Sequence, residues 1–234
     1  MKTAVIQFPG STCEFDALYV LEDVLHVESD LVWHRDFDGA NYDAIVLPGG
    51  FTYGDYLRAG IIAAHSPAMK HVKDMAREGK PVMGICNGFQ ILIESGLLPG
   101  ALLGNQGRAF VCKWVRLRVE TSNTAFTRNI QQRDILNIPI AHAEGRYVNE
   151  PEGLRELREN DQIVLRYVNE NGNPTEEANP NGSMDSIAGI CNLERNVLGL
   201  MPHPERASEK ALSPFSSDDG LKLLEAFAQS GGYR

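Results

Sequence analysis

Two kinds of apolar run follow one another along the first half of this chain. Short continuous runs at residues 3–8, 31–34, 44–47 and 80–85 have the pattern of strands buried on both faces. Between them, apolar positions recur at helical spacing: Ala17, Leu18, Leu21, Val24 and Leu25, then Met69, Val72, Met75 and Ala76 within residues 67–79. These predict amphipathic helices. Pro9-Gly10 turns the chain after the first strand, and Ser11-Thr12-Cys13-Glu14 predicts a capping box at the next helix start. Strand alternating with helix predicts a parallel sheet covered by helices on both sides.

Past residue 108 the period changes to two. Val115-Arg116-Leu117-Arg118-Val119 alternates as a half-exposed strand does, and residues 163–168 and 187–191 are similar. Residues 169–174 and 179–182 are rich in Asn, Gly and Pro and read as loops. An extended run covers residues 197–201, and Leu221, Leu224 and Phe227 mark a closing helix. The expected fold class is α/β: a mainly parallel open sheet flanked by helices, with an antiparallel extension in the second half. Residues 1–234 are expected to form a single domain.

The chemistry concentrates at one cysteine. A β-rich run leads into Gly84-Ile85-Cys86-Asn87-Gly88-Phe89-Gln90, and a helical run leads out of it to Gly96, a candidate C′ residue. Cys86 is therefore expected on a sharp strand-to-helix turn, with glycines two before and two after it for close packing. The free N–H groups of the helix start favour the thiolate there. A nucleophile needs a base, and the base needs an orienting group. Met201-Pro202-His203-Pro204-Glu205 supplies both, because residues i and i+2 of an extended segment share a face and the prolines stiffen it. Taken alone this segment is a surface His-Pro turn; beside an elbow cysteine, the catalytic reading is favoured. Gly49-Gly50 follows the third strand, where a tight turn is the ordinary role and an oxyanion hole the functional one. Gln90, one turn past Cys86, either faces solvent or reaches a substrate.

The Cys86 and His203-Pro204-Glu205 motifs resemble those of class I, triad-type glutamine amidotransferases. Leu47-Pro48-Gly49-Gly50-Phe51-Thr52-Tyr53-Gly54-Asp55-Tyr56-Leu57-Arg58, Cys112-Lys113-Trp114-Val115 and Ile138-Pro139-Ile140-Ala141-His142-Ala143-Glu144-Gly145-Arg146-Tyr147 resemble one branch of that family, the purine-biosynthetic glutaminase subunits of phosphoribosylformylglycinamidine synthases. Thr52 and Ala143 stand where Ser and Gly are commoner in the branch. The resemblance implies hydrolysis of glutamine to glutamate and ammonia by Cys86, His203 and Glu205, with Gly49, Gly50, Phe51, Asn87 and Gln90 binding substrate or oxyanion. His142, Glu144 and Arg146 then line the glutamine pocket or a partner contact; a structural role is equally open. It implies no metal and no cofactor in this chain. ATP and Mg belong to a partner synthetase subunit that converts formylglycinamide ribonucleotide to the amidine, with room for a small third subunit.

Composition narrows the field. A 43% hydrophobic content over 234 residues supplies a sizeable core. No apolar run approaches the roughly 20 residues of a membrane helix, and the N-terminus lacks a secretory pattern. Cys13, Cys86, Cys112 and Cys191 are widely spaced, against a zinc knuckle or disulfide framework and in favour of reduced thiols in the cytosol. Cys13, Cys112 and Cys191 are expected in apolar structural settings, and His26, His34, His65 and His71 at helix ends or on the surface. The net charge of −9 disfavours nucleic acid. A stand-alone cysteine hydrolase, a non-catalytic subunit with the same fold and a redox-sensing thiol are the rival classes. Phe51 to Arg58 and Glu205 count against the first, and the intact triad against the second.

Overall fold

Four segments of the first half pair in parallel, three of them buried inside the sheet and one at its edge. The computed structural model describes residues 1–231. Strands β1 (Thr3–Gln7), β2 (Ser29–Trp33), β3 (Ala44–Leu47) and β4 (Val82–Ile85) are the continuous runs of the first half, and β1, β3 and β4 are buried almost throughout. The remaining strands are β5 (Ala101–Leu103), β6 (Val111–Val119), β7 (Ile135–His142), β8 (Arg146–Val148), β9 (Ile163–Val168), β10 (Ile187–Cys191) and β11 (Val197–Leu200). Nine of them form one sheet in the order β2-β1-β3-β4-β11-β10-β9-β6-β7, and β5 pairs with β8 in a small antiparallel sheet. The β2, β1, β3, β4 and β11 neighbours are parallel. Every contact from β11 through β10, β9 and β6 to β7 is antiparallel. The antiparallel extension is therefore a continuation of the main sheet.

Helices α1 (Glu14–Tyr19, continuing as a wider turn over Val20–Val24), α2 (Ile61–Ala64), α3 (Pro67–Arg77), α4 (Asn87–Glu94), α5 (Pro151–Glu159) and α6 (Asp219–Ala228) complete the architecture. On α3 the residues expected inward, Met69, Val72, Met75 and Ala76, are buried. Helix α4 ends as the sequence indicates: Gly96 has φ 77° and its N–H donates to the Ile93 carbonyl.

Some expectations fail for identifiable reasons. No side chain caps α1. Ser11 Oγ instead accepts from the Phe8 N–H at 3.0 Å, and the Thr12 and Cys13 amides donate to the Gly49 carbonyl. His34 is buried, not superficial, enclosed by Phe8, Trp33 and Tyr53. Cys112 is exposed on β6, not in an apolar setting.

The parallel register positions the site. Gly84 and Ile85 lie opposite Gly199 and Leu200, so β4 and β11 end side by side, and β3 ends beside β4. Cys86, His203 and Gly49-Gly50 each follow one of these ends, where open α/β sheets bind ligands.

Candidate active site

Cys86 has φ 52° and ψ −104°, a conformation that costs a non-glycine residue energy and is typical of functional turns. The backbone is held there from both sides. The Cys86 N–H donates to the Leu200 carbonyl at 2.8 Å, and the Phe89 and Gln90 amides donate back to the Cys86 carbonyl. The glycines of the motif are steric necessities. A Cβ on Gly84 would lie 2.5 Å from Leu92 Cδ1, and one on Gly88 2.0 Å from the Leu47 carbonyl oxygen. Helix α4 thus packs backbone to backbone against β3.

His203 and Glu205 form a buried pair, with Nδ1 2.6 Å from Oε1. The His203 N–H donates to the Pro139 carbonyl at 2.8 Å, which ties the segment to β7. Burial alone lowers the pKa of His203. The negative charges of Glu205 and of a Cys86 thiolate outweigh it and hold the group well above the ordinary histidine value. Nε2 is buried without a hydrogen-bond partner, and both Cys86 and Cys13 are within reach of the ring. Cys86 Sγ lies 3.8 Å from the Ala141 carbonyl oxygen. A Cβ on Gly49 would come within 2.8 Å of His203 Cε1 and 2.9 Å of Cys13 Sγ.

These groups open into a cavity of about 350 Å³ whose lining includes Gly50, Phe51, Cys86, Gln90, His142, Glu144 and His203. Asn87 is fully buried behind it. Its Oδ1 accepts from the Thr52 N–H, its Nδ2 donates to Gln90 Oε1, and Gln90 Nε2 donates to the Glu144 carbonyl. The side chains of Asn87 and Gln90 therefore tie two rim segments, at Thr52 and Glu144, to the start of α4. The Phe51 N–H donates to the Gly10 carbonyl and is not free for an oxyanion. Arg146 lies outside this cavity, in a neighbouring one that shares Ala143 and Glu144.

The lining also includes residues that were not expected at the site, among them Cys13, Asp55, Phe110 and Arg206. Cys13 is buried, but beside His203 and Glu205 and not in a purely apolar setting, since Arg206 Nη2 donates to its Sγ at 3.1 Å. Donor atoms of Cys13, His203 and Glu205 all fall within 4.8 Å of one another. Glu205 is already committed to His203, and the Arg206 guanidinium beside Cys13 repels a cation.

His142 is buried, and burial, then the charge of His203, lowers its pKa to about 4 from 6.5. Unfolded, the same group binds a proton below about 6.5; folded, it refuses one until about 4. The unfolded state thus gains protons as pH falls through this window, and folding is weakened by on the order of 3 kcal/mol below it. His142→Gln is expected to remove that penalty. Melting curves of both proteins between pH 7 and pH 4 should show the variant gaining on the wild type as pH falls.

A strained thiol at a strand end, a buried His–Glu pair beside it and a small cavity lined by both polar and apolar groups are the parts of a cysteine-dependent amidohydrolase. The chain belongs to the CobB/CobQ-like glutamine amidotransferase family, whose domain matches residues 1–229. Within it, the chain is similar to subunit PurQ of phosphoribosylformylglycinamidine synthase. It is 54% identical over 228 residues to that protein from Methanosarcina acetivorans, covering 97% of both chains. With the Aquifex aeolicus protein of the same name it shares 54% over 223 residues, 95% of this chain and 97% of the relative. A chain in the solved structure of PurLQS from Thermotoga maritima superposes with a TM-score of 0.83 at 43% identity, covering 97% of this chain and 96% of that one. The glutaminase domain of Trypanosoma brucei CTPS shares the fold, with a TM-score of 0.61 at 14% identity and coverage of 100% and 94%.

Proposed function

We propose that this chain is the glutaminase subunit of a phosphoribosylformylglycinamidine synthase and that residues 1–234 act as one glutaminase domain. The observation that carries the reading is the strained Cys86 elbow beside the buried His203–Glu205 pair, in a chain matched end to end by proteins of that name.

Cys86 attacks the side-chain amide carbon of glutamine. Glu205 holds the Nδ1–H of His203, which leaves Nε2 for proton transfer. The raised pKa of His203 favours imidazolium, the natural partner of a thiolate. His203 then protonates the departing ammonia, leaving a glutamyl thioester on Cys86. Water, deprotonated by His203, releases glutamate and restores the thiol. The backbone N–H groups of Gly50 and Asn87 are the candidate oxyanion donors, each worth about 3–4 kcal/mol of barrier by the usual scale. These steps use this chain's side chains, the two backbone donors and water.

Ammonia is useful only beside an acceptor. In this reading ATP and Mg are used on a separate synthetase subunit, where formylglycinamide ribonucleotide becomes the amidine, with a small third subunit completing the complex. Among the described residues no helix is long and apolar enough to cross a membrane, and we place the reaction in the cytosol with the rest of the pathway's small-molecule chemistry.

Reconstitution tests the assignment. Added to the candidate synthetase with formylglycinamide ribonucleotide and ATP, the chain is expected to make glutamine as effective a nitrogen donor as ammonium, read as ADP formation. If it never confers glutamine use, the assignment fails. The isolated chain is expected to hydrolyse glutamine at least about 10-fold more slowly than the complex, because docking gates the site. Equal rates with and without the partner would remove that coupling.

A further inference from the structure

The catalytic cavity contains a cluster of acceptors with no donor among them. Asp55 Oδ1 and His142 Nε2 are both buried without a hydrogen-bond partner, and both residues line the cavity with Glu144. Neither Asp55 nor Glu144 takes part in an ion pair among the described residues.

The protonation of His142 is set by its neighbours. Asn105 Nδ2 donates to the Ala109 and His142 carbonyls, each at 2.9 Å, which fixes Asn105 Oδ1 as the acceptor. That oxygen receives the Gly145 N–H and His142 Nδ1, both at 3.1 Å. Nδ1 therefore carries the proton, and Nε2 presents a lone pair. His142 is only 4% exposed.

Asp55 is aimed by its backbone. Tyr53, Gly54 and Asp55 have φ of 54°, 69° and 53° in succession, and two of the three are not glycine. Such strain persists only where the surroundings enforce it. The Tyr53 N–H donates to the Pro9 carbonyl at 2.7 Å, the Gly54 N–H to the Phe51 carbonyl at 2.8 Å, and the Thr52 N–H to Asn87 Oδ1 at 3.1 Å. Burial, and then the Glu144 charge, raise the Asp55 pKa to about 6, as expected of a carboxylate lacking its cation.

Asp55 Oδ1 and His142 Nε2 stay unsatisfied until a donor enters, and the half-exposed Glu144 carboxylate adds a second negative charge that favours a cation. A primary ammonium has three donors and a positive charge. Glutamine carries one on its α-carbon, so the role of this cluster rests on the glutaminase reading of the site. We infer that Asp55, with Glu144 and His142, seats the α-ammonium of the substrate, and that Asp55 sets the preference for free glutamine over amides whose α-amine is absent or acylated. The site would then reject glutamine within a peptide chain, which shields cellular proteins from deamidation.

The test compares nitrogen donors in the reconstituted complex: glutamine, glutaramate (the same amide without the α-amine) and ammonium. Wild type is expected to use glutaramate at least about 100-fold less well than glutamine in kcat/KM, the scale for a lost charge-assisted contact. In Asp55→Asn the glutamine kcat/KM should fall by about 100-fold, mainly through KM, with glutaramate nearly unchanged. Asp55→Glu, which keeps the charge, should recover part of the preference. The ammonium-driven rate reports folding and docking in every variant. A glutamine-to-glutaramate ratio that Asp55→Asn leaves intact, or an equal loss with both amides, overturns the inference. A wild-type complex that uses neither amide overturns the glutaminase reading itself, a result distinct from the other two.

Discussion

Cys86→Ala is expected to abolish glutamine-driven ADP formation by the complex, with a loss of about 10⁴-fold or more, while the ammonium-driven rate stays within a factor of about two. The split comes from where the sulfur sits. Cys86 stands at the start of α4, and in the proposed mechanism it supplies the bond-forming atom of the thioester, so no neighbouring group replaces it. Cys13 lies near His203, but its Sγ is held by Arg206 at 3.1 Å, and its backbone lacks the elbow. Ammonium bypasses the thioester and needs only the partner's acceptor site. The truncation leaves a small void behind a side chain that is 5% exposed, so folding should survive. Trapping of the covalent intermediate by mass spectrometry after an acid quench checks the same step directly: wild type should show the glutamyl adduct on Cys86 and the variant none. A variant that retains glutamine-driven activity would remove Cys86 from the reaction.

Gly88→Ala is expected to give the largest loss of stability for its size. The added methyl would lie 2.0 Å from the Leu47 carbonyl oxygen and 2.8 Å from its carbon. That neighbour is backbone inside a buried parallel strand, so relief requires α4 to move away from β3. Overpacking usually costs 1–3 kcal/mol, and a fixed backbone neighbour places this case at about 3 kcal/mol or more. The shift also tilts the start of α4, and with it Cys86. Denaturant unfolding should show a lower midpoint, and any soluble variant should have lost most glutamine-driven activity. Gly96→Ala is the control on the same helix: no atom lies within 4 Å of its added Cβ, and only the φ of 77° opposes it. Its cost should be about 1 kcal/mol.

The parallel half of the sheet was legible because β1, β3 and β4 are buried apolar runs; β2, half-buried at the sheet edge, starts at Ser29 and Asp30, two residues before its apolar run. The elbow was legible because strand, glycine, cysteine, glycine and helix lie consecutively. The His203–Glu205 pair was legible for the same reason, since both partners share one extended segment. What escaped was made by distant segments. Asp55 enters the cavity only because a left-handed turn is pinned to Pro9 and Asn87, and neither contact leaves a local pattern. Cys13 and Arg206 meet across 193 positions. The Ser11 capping box failed because its hydroxyl found Phe8 first, a competition that local spacing does not display. Helix α5 was missed because only Leu154 and Leu157 of its nine residues are buried, too few for a periodic stripe. Arg146 shares a motif with Glu144 but extends onto β8, which takes it into a separate cavity.

The placement of β11 has a consequence during synthesis. This strand follows every other strand in chain order, yet it inserts into the middle of the sheet, between β4 and β10. Until it arrives, β4 has a bare edge, the Leu200 carbonyl that anchors the Cys86 amide is missing, and no His203 stands beside the thiol. Pairing of segments so far apart in sequence is slow, because the loop-closure entropy comes before the contacts. A nascent chain therefore carries a finished nucleophile strand but no working nucleophile. Ammonia release must wait until residues through Glu205 have emerged, and a ribosome stalled before residue 197 leaves an inert product with an open strand edge, a substrate for chaperones and proteases.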